Sequence, residues 1–190
     1  MQNHFQGNEE WLISECISGN SKAQRQLYEQ YSKKMYVVCL RYSKTTFEAE
    51  DMLQESFIKV FNHLQDFQKD CPLEFWIKRI VINTALKHNR RKLDKAPTED
   101  VTEMLNEPSD DAVVLSNYNF QELLAMIQKL APRYQMIFNL YAIEGYKHKE
   151  IADMLGINEG TSKSQYARAK VILQKMLIQD ENPVYEKFSP

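Results

Sequence analysis

The sequence predicts an all-α protein of two small helical domains, an N-terminal helix bundle and a C-terminal helix-turn-helix domain, joined by an acidic linker. Apolar residues recur at three- and four-residue spacing through most of the 190 residues. Glycine (5) and proline (6) are too scarce for the many tight turns of an all-β chain. Between residues 93 and 117 the helical pattern stops and acidic residues take over.

The N-terminal domain is assigned to residues 10–92. Trp11, Leu12, Cys16 and Ile17 open a helical pattern that Gly19, Asn20 and Ser21 interrupt. Ser21 is placed to cap the next helix, with Gln24 completing a capping box. That helix carries Ala23, Leu27, Tyr28 and Tyr31, then Tyr36, Val37, Leu40 and Arg41, and breaks at Thr45-Thr46. A third helix starts near Phe47 and presents Leu53, Phe57, Val60, Phe61 and Leu64. Residues 66–73 form a loop with Pro72 as breaker, and a fourth helix runs from about Glu74 to Lys92. Residues 93–117 hold Pro97, Pro108, Ser109 and seven acids against Lys95, a linker composition with net charge −6. As a coil it would span roughly 25–30 Å, with a ceiling of about 85 Å. The C-terminal domain takes residues 118–178. Phe120, Leu123, Leu124, Ile127 and Leu130 make one helix; Pro132 opens another that ends near Gly145. Helices at about 148–155 and 159–178 flank Gly156-Ile157-Asn158, and the tail 179–190 is expected to fray.

Composition excludes several classes. No run of 18 apolar residues is present, and the start Met1-Gln2-Asn3-His4-Phe5-Gln6 carries no secretory signal, so a cytoplasmic location is expected. Cys16, Cys39 and Cys71 are odd in number and form no CxxC pair, which fits reduced thiols rather than a disulfide framework or a zinc ribbon. Glu48, Glu50, Asp51 and Glu55 lack the Glu-x-x-His spacing of a di-metal bundle, and His4, His63, His88 and His148 supply none. No metal, cofactor, small-molecule substrate or catalytic residue is expected. The net charge of −2 conceals blocks: Lys78, Arg79, Lys87, Arg90, Arg91 and Lys92 stand without an acid before the acidic stretch, and residues 147–177 are again basic. Basic segments suit a polyanion that the acidic one would avoid.

Three constellations carry chemistry. From Tyr146 to Thr161 the spacing is that of a helix-turn-helix. Ile151 and Leu155 face inward, Ala152 is small where helices cross, Gly156 suits the left-handed helix end, Ile157 plugs the core and Asn158 caps the second helix. On that second helix Tyr166, Ala169, Leu173 and Met176 form one stripe. Thr161, Ser164, Gln165 and Arg168 form a polar one flanked by Lys163 and Lys170, as a major-groove reader requires. On the helix 74–92, Arg79, Asn83, Lys87 and Arg90 share a face near Phe75 and Trp76. Aromatics, an amide and cations suit single-stranded DNA, although both rings at this spacing weigh toward the core. The preceding helix has an exposed stripe of Asp51, Gln54, Glu55 and Ile58, which fits a partner's basic helix.

In order along the chain, Asp51-Met-Leu-Gln54-Glu-Ser-Phe57, then Phe75-Trp76-Ile77-Lys78-Arg79-Ile80-Val81-Ile82-Asn83 leading to Arg90-Arg91, and finally Glu150-Ile-Ala-Asp-Met-Leu-Gly-Ile followed by Gly160-Thr-Ser-Lys-Ser-Gln-Tyr-Ala-Arg-Ala-Lys170 resemble the extracytoplasmic-function (ECF) sigma factors of the sigma-70 family. The resemblance covers roughly residues 10–178. It implies a non-enzymatic subunit that directs core RNA polymerase to promoter DNA. Asp51, Gln54, Glu55 and Ile58 would bind clamp helices of the polymerase. Phe67 in the loop 66–73, with Lys78, Arg79, Asn83, Lys87, Arg90 and Arg91, would recognise and open the −10 element. Thr161, Lys163, Ser164, Gln165, Arg168 and Lys170 would read the −35 element. An anti-sigma factor is the family's usual regulator. Two departures stand out. Ser162 occupies a position usually apolar, which is expected to loosen inward packing. Gln165 replaces a common basic residue and favours adenine over guanine. A stand-alone helix-turn-helix regulator with an N-terminal dimerisation bundle is the alternative, and an enzyme with a carboxylate metal site is a more distant one.

Overall fold

A computed structural model describes residues 2–93 and 120–181, with side chains described for 9–90 and 120–178. The expected linker (93–117), apart from Leu93, lies outside the described residues, as do the Arg91 side chain and the tail beyond residue 181. The chain divides into two compact units, Met1–Arg91 and Lys92–Pro190. Every regular element among the described residues is helical.

In the first unit, α1 (Gln2–Ile17), α2 (Ser21–Tyr42), α3 (Thr46–His63) and α4 (Leu73–Leu93) follow one another, with a 3₁₀ turn at Leu64–Asp66 after α3. Local chemistry sets the breaks. Gly19 takes a positive φ of 85°, which ends α1. Asn20, not Ser21, caps α2. Its side chain accepts from the Lys22 and Ala23 amides, and Ser21 is already helical. A short side chain with an acceptor oxygen, the Asn20 amide or the Ser21 hydroxyl, satisfies the rule, and the turn geometry after Gly19 selects the earlier one. Thr45 caps α3 through the Glu48 amide. Leu27, Met35, Met52, Val60, Leu64, Leu73, Ile77 and Val81 are all at most 1% exposed and form the core.

Two polar ties orient α4. The Asn89 amide, buried, donates to the Tyr42 carbonyl at the end of α2 at 2.8 Å. Lys59 Nζ on α3 donates to Thr84 Oγ1 at 3.0 Å. The first satisfies a carbonyl at a helix end, where no intrahelical donor remains.

The second unit holds α5 (Phe120–Lys129), α6 (Pro132–Phe138), a π-helical segment (Asn139–Ile143), α7 (His148–Leu155) and α8 (Glu159–Glu181). Met126 and Leu130 pack on Ala169, Leu173 and Leu177, so α8 supplies the spine of this core. The expected single helix from Pro132 to Gly145 is instead α6 running into a wider turn. There the Glu144 amide reaches the Asn139 carbonyl at 2.9 Å and the Tyr146 amide reaches Leu140 at 2.9 Å, before Gly145 at φ 80° releases the chain. Buried Asn139 donates to the Gln135 carbonyl at 2.9 Å and settles into this bulge.

Candidate nucleic-acid interface

On α4 the inward residues Ile77, Val81, Thr84 and Ala85 are buried, which turns Arg79, Asn83, Lys87 and Arg90 outward; all four are exposed. Lys78 lies at the margin and is half-buried. The loop before α4 is shaped by its apolar ends, Leu64 and Leu73, and by Phe67, whose ring centroid lies 5.4 Å from that of Trp76. Trp76 is thus only half-buried, and Phe75 is 60% exposed. The spacing that favoured the core for both rings is overridden because Leu73 and Ile77 already occupy the inward face of that turn. Lys69 holds a left-handed backbone at φ 61°, a conformation that costs a non-glycine residue on the order of 1 kcal/mol. Its ammonium meets Glu10 on α1 at 2.8 Å, with both side chains more than half exposed, so the packed ends of the loop carry more of that cost than the ion pair does.

On α3, Asp51, Gln54 and Ile58 are exposed, Ile58 by 61%. Glu55 differs. It pairs with Lys59 at 2.8 Å, and the same ammonium holds Thr84. Beside this stripe a shallow hollow of about 400 Å³ lies between α2 and α3, lined by Tyr28, Tyr36, Lys33, Glu50 and Gln54 among others.

In the second unit the helix-turn-helix is assembled from caps. Glu150 accepts the Lys147 amide at 2.7 Å at the start of α7. Gly156 ends α7 at φ 68°. Asn158 Oδ1 accepts the Thr161 amide at 2.6 Å at the start of α8. Gly160 leaves room for that cap, since a Cβ there would sit 3.3 Å from Asn158 Oδ1. Ile151 and Ala152 are buried, while Leu155 and Ile157 are half-buried. Along α8, Ser164, Arg168 and Lys163 are exposed, and Thr161, Gln165 and Lys170 are half-buried. Lys163 lies 2.7 Å from Glu159 in an exposed, solvent-screened i,i+4 pair, weak enough for a phosphate to displace. The same pair holds the Glu159 carboxyl below its usual range.

Ser162 does not loosen the packing. It is fully buried, and its hydroxyl is 2.9 Å from His148 Nδ1 on α7. The imidazole stacks on Tyr141 at 4.2 Å and 12°, and Tyr166 lies beside both rings. Burial, then the Lys163 charge, pushes the His148 pKa below its ordinary value, with Glu159 opposing. Sequence reasoning singled out neither His148 nor Lys59 nor Lys69 for the site. His148 and Ser162 are fourteen positions apart, and a left-handed lysine has no sequence signal.

Among the described residues no group of three or more His, Cys, Asp or Glu side chains is placed to hold a metal ion. No helix among them is long and apolar enough to cross a membrane.

Comparisons with known proteins match these two units separately. Sigma-70 region 2 matches residues 27–93, and Sigma-70 region 4 matches residues 120–173. The chain is 29% identical over 163 residues to the ECF RNA polymerase sigma factor SigE of Mycolicibacterium smegmatis, covering 80% of this chain but only 60% of that protein's length. It is 29% identical over 180 residues to the ECF RNA polymerase sigma factor SigW of Bacillus subtilis, covering 87% of this chain and 94% of that one. Among solved structures, the sigma factor RpoE of Bartonella quintana, crystallised with the anti-sigma factor NepR, shares the fold. The TM-score is 0.52 and the identity 20%, over 81% of this chain and 96% of that one. An all-helical chain carrying sigma-70 regions 2 and 4 in this order, with ECF factors as its relatives, belongs to the extracytoplasmic-function group of the sigma-70 family.

Proposed function

We propose that this chain directs core RNA polymerase to particular promoters, and that the chemistry of RNA synthesis stays with the polymerase. The observation that carries this is that each unit turns a polar or cationic helix face to solvent: Arg79, Asn83, Lys87 and Arg90 on α4, and Lys163, Ser164 and Arg168 on α8. Residues 10–92 would grip the polymerase and open the −10 element, and residues 118–178 would read the −35 element. The stretch 93–117 would tether them, its acids keeping it off DNA.

Each surface suits its task. Asp51, Gln54 and Ile58 on α3 offer an acidic and aliphatic face to a basic clamp helix, with Glu55 as a contact already committed in part to Lys59. Phe67 and Trp76 flank the loop where an extruded base would stack. Extrusion costs a few kcal/mol, which stacking and phosphate contacts on the α4 cations must offset. In α8 the half-buried Gln165 and exposed Arg168 would read base edges, and Lys163 and Lys170 beside them would hold phosphates. The Bartonella relative crystallised with an anti-sigma factor supports a protein antagonist of the same kind for this chain. A cytoplasmic location follows from this role. Reconstituted transcription with purified core polymerase and genomic DNA tests the reading. Discrete start sites that depend on this chain are expected, and core polymerase that initiates identically without it would overturn the proposal.

A further inference from the structure

Along its inward side α8 runs Ser162, Ala169, Leu173 and Leu177, apolar after its first member. The turn of α8 that begins the reading stripe therefore meets α7 through a hydroxyl rather than an apolar knob. We infer that His148 and Ser162 form a hydrogen-bonded joint that sets the rotation of α8 against α7, and so act as positioning residues for base reading. This rests on the reading of α8 given above.

The geometry supports the joint in three ways. The Ser162 hydroxyl is fully buried and meets His148 Nδ1 at 2.9 Å across the two helices. The imidazole is clamped, stacked on Tyr141 at 4.2 Å with Tyr166 at 5.8 Å, and Tyr166 in turn stacks on Phe138 at 6.2 Å. The groups around it are Lys163, Glu159 and Tyr166 from α8, Tyr141 from the π-helical segment, and Lys149 from α7 itself. Finally, the bond lies at the level of the reading stripe along α8, on the opposite, inward side, with Thr161 just before Ser162 and Gln165 one turn after it.

An apolar contact lets a helix roll, because dispersion has little directionality. A hydrogen bond weakens steeply once its angle falls below about 120°. The Asn158 cap cannot replace it, because that bond is internal to the start of α8 and follows the helix as it turns. A reader must hold its side chains to within about 0.5 Å, and second partners such as this joint are what hold them there.

The energetics give a distinctive signature. Removing the imidazole alone strands a buried hydroxyl, whereas removing both partners does not. The test assembles the full chain with core polymerase and measures binding to promoter fragments with and without the −35 duplex. The ratio of the two affinities isolates α8, and binding of the same assemblies to a single-stranded −10 oligonucleotide serves as the control. His148→Ala is expected to lower the ratio about tenfold. Adding Ser162→Ala should restore most of it, and His148→Asn, whose amide reaches the Nδ1 position, should stay within about threefold of wild type. Control binding should not move in any variant. If His148→Ala melts the second unit by circular dichroism, His148→Asn and Ser162→Ala carry the test. Additive effects, or a ratio unchanged in every folded variant, overturn the joint alone. A wild-type assembly indifferent to the −35 duplex overturns the reading of α8 and the joint with it.

Discussion

Asp51 and Asn89 show how burial separates a residue open to a partner from one that holds the fold. Asp51 is exposed on α3, so a change there alters what the surface presents while the core stays as it is. On the docking face proposed above, Asp51→Lys would replace attraction for a basic clamp helix with repulsion. Association with core polymerase should be abolished in a pull-down, while the circular dichroism melt stays within about 0.5 kcal/mol of wild type. Association that survives with the fold intact would remove α3 as the docking face. Asn89 sits on the same helix as the α4 cations but points inward, 4% exposed, onto the Tyr42 carbonyl. Asn89→Ala should therefore destabilise the first unit by about 1–3 kcal/mol in a denaturant melt. Any loss of −10 binding by Asn89→Ala should disappear at temperatures where the variant is folded. Glu55 falls between the two cases, because Lys59 already holds it and Lys59 in turn ties α3 to α4.

At the scale of elements the division of labour becomes testable. Arg168 is exposed on α8, in a unit whose core is its own. In the polymerase assembly, Arg168→Ala should weaken −35 duplex binding by about 1–3 kcal/mol, as for loss of a good base contact, and leave single-stranded −10 binding intact. Loss of both would refute separate readers. The second unit should also be sensitive to acid. Burial, then the Lys163 charge, holds the His148 pKa in the fold below the ordinary 6.5. The unfolded chain thus binds its proton first as pH falls. Stability that is complete above about pH 6.5 is lost as pH drops through the lowered value. The unfolding temperature of wild type should therefore fall more between about pH 7 and about pH 5 than that of His148→Asn, read by circular dichroism. These elements also show what the sequence could disclose. The bounds of α7, the left-handed Gly156 and the Asn158 cap were legible because each rests on chemistry within a few residues. The outward direction of Arg79, Asn83, Lys87 and Arg90 followed from helical period alone. The π-helical segment after α6 was not legible, since its apolar spacing is nearly that of an α-helix. The rescue of Ser162 by His148 was hidden because it joins two helices, and the turn between them decides whether they meet.

For the whole molecule, charge arrangement decides how it meets DNA. The chain carries a net charge of −2, so its field as a whole does not attract a polyanion. Its cations are concentrated in residues 78–92, with six and no acid, and less strongly in residues 147–177. Between them residues 93–117 carry −6. One short cationic helix neutralises few phosphates. Because affinity scales with the counterions released, the free chain should bind duplex promoter DNA weakly and with a shallow salt dependence. Docking on core polymerase changes this in two ways. It adds the polymerase's own contacts to the backbone, and it holds both readers over one DNA molecule, so the second binds at an effective concentration set by the tether. The acids of residues 93–117 would keep that tether off the DNA while both readers bind. Titrations of labelled promoter duplex, across a range of salt and with and without core polymerase, should show tight and steeply salt-dependent binding only in the presence of core. Equal affinity and equal salt slope without core would mean that the chain reads DNA alone. In that case binding should track two-fold symmetric half-sites, as a dimeric helix-turn-helix regulator requires.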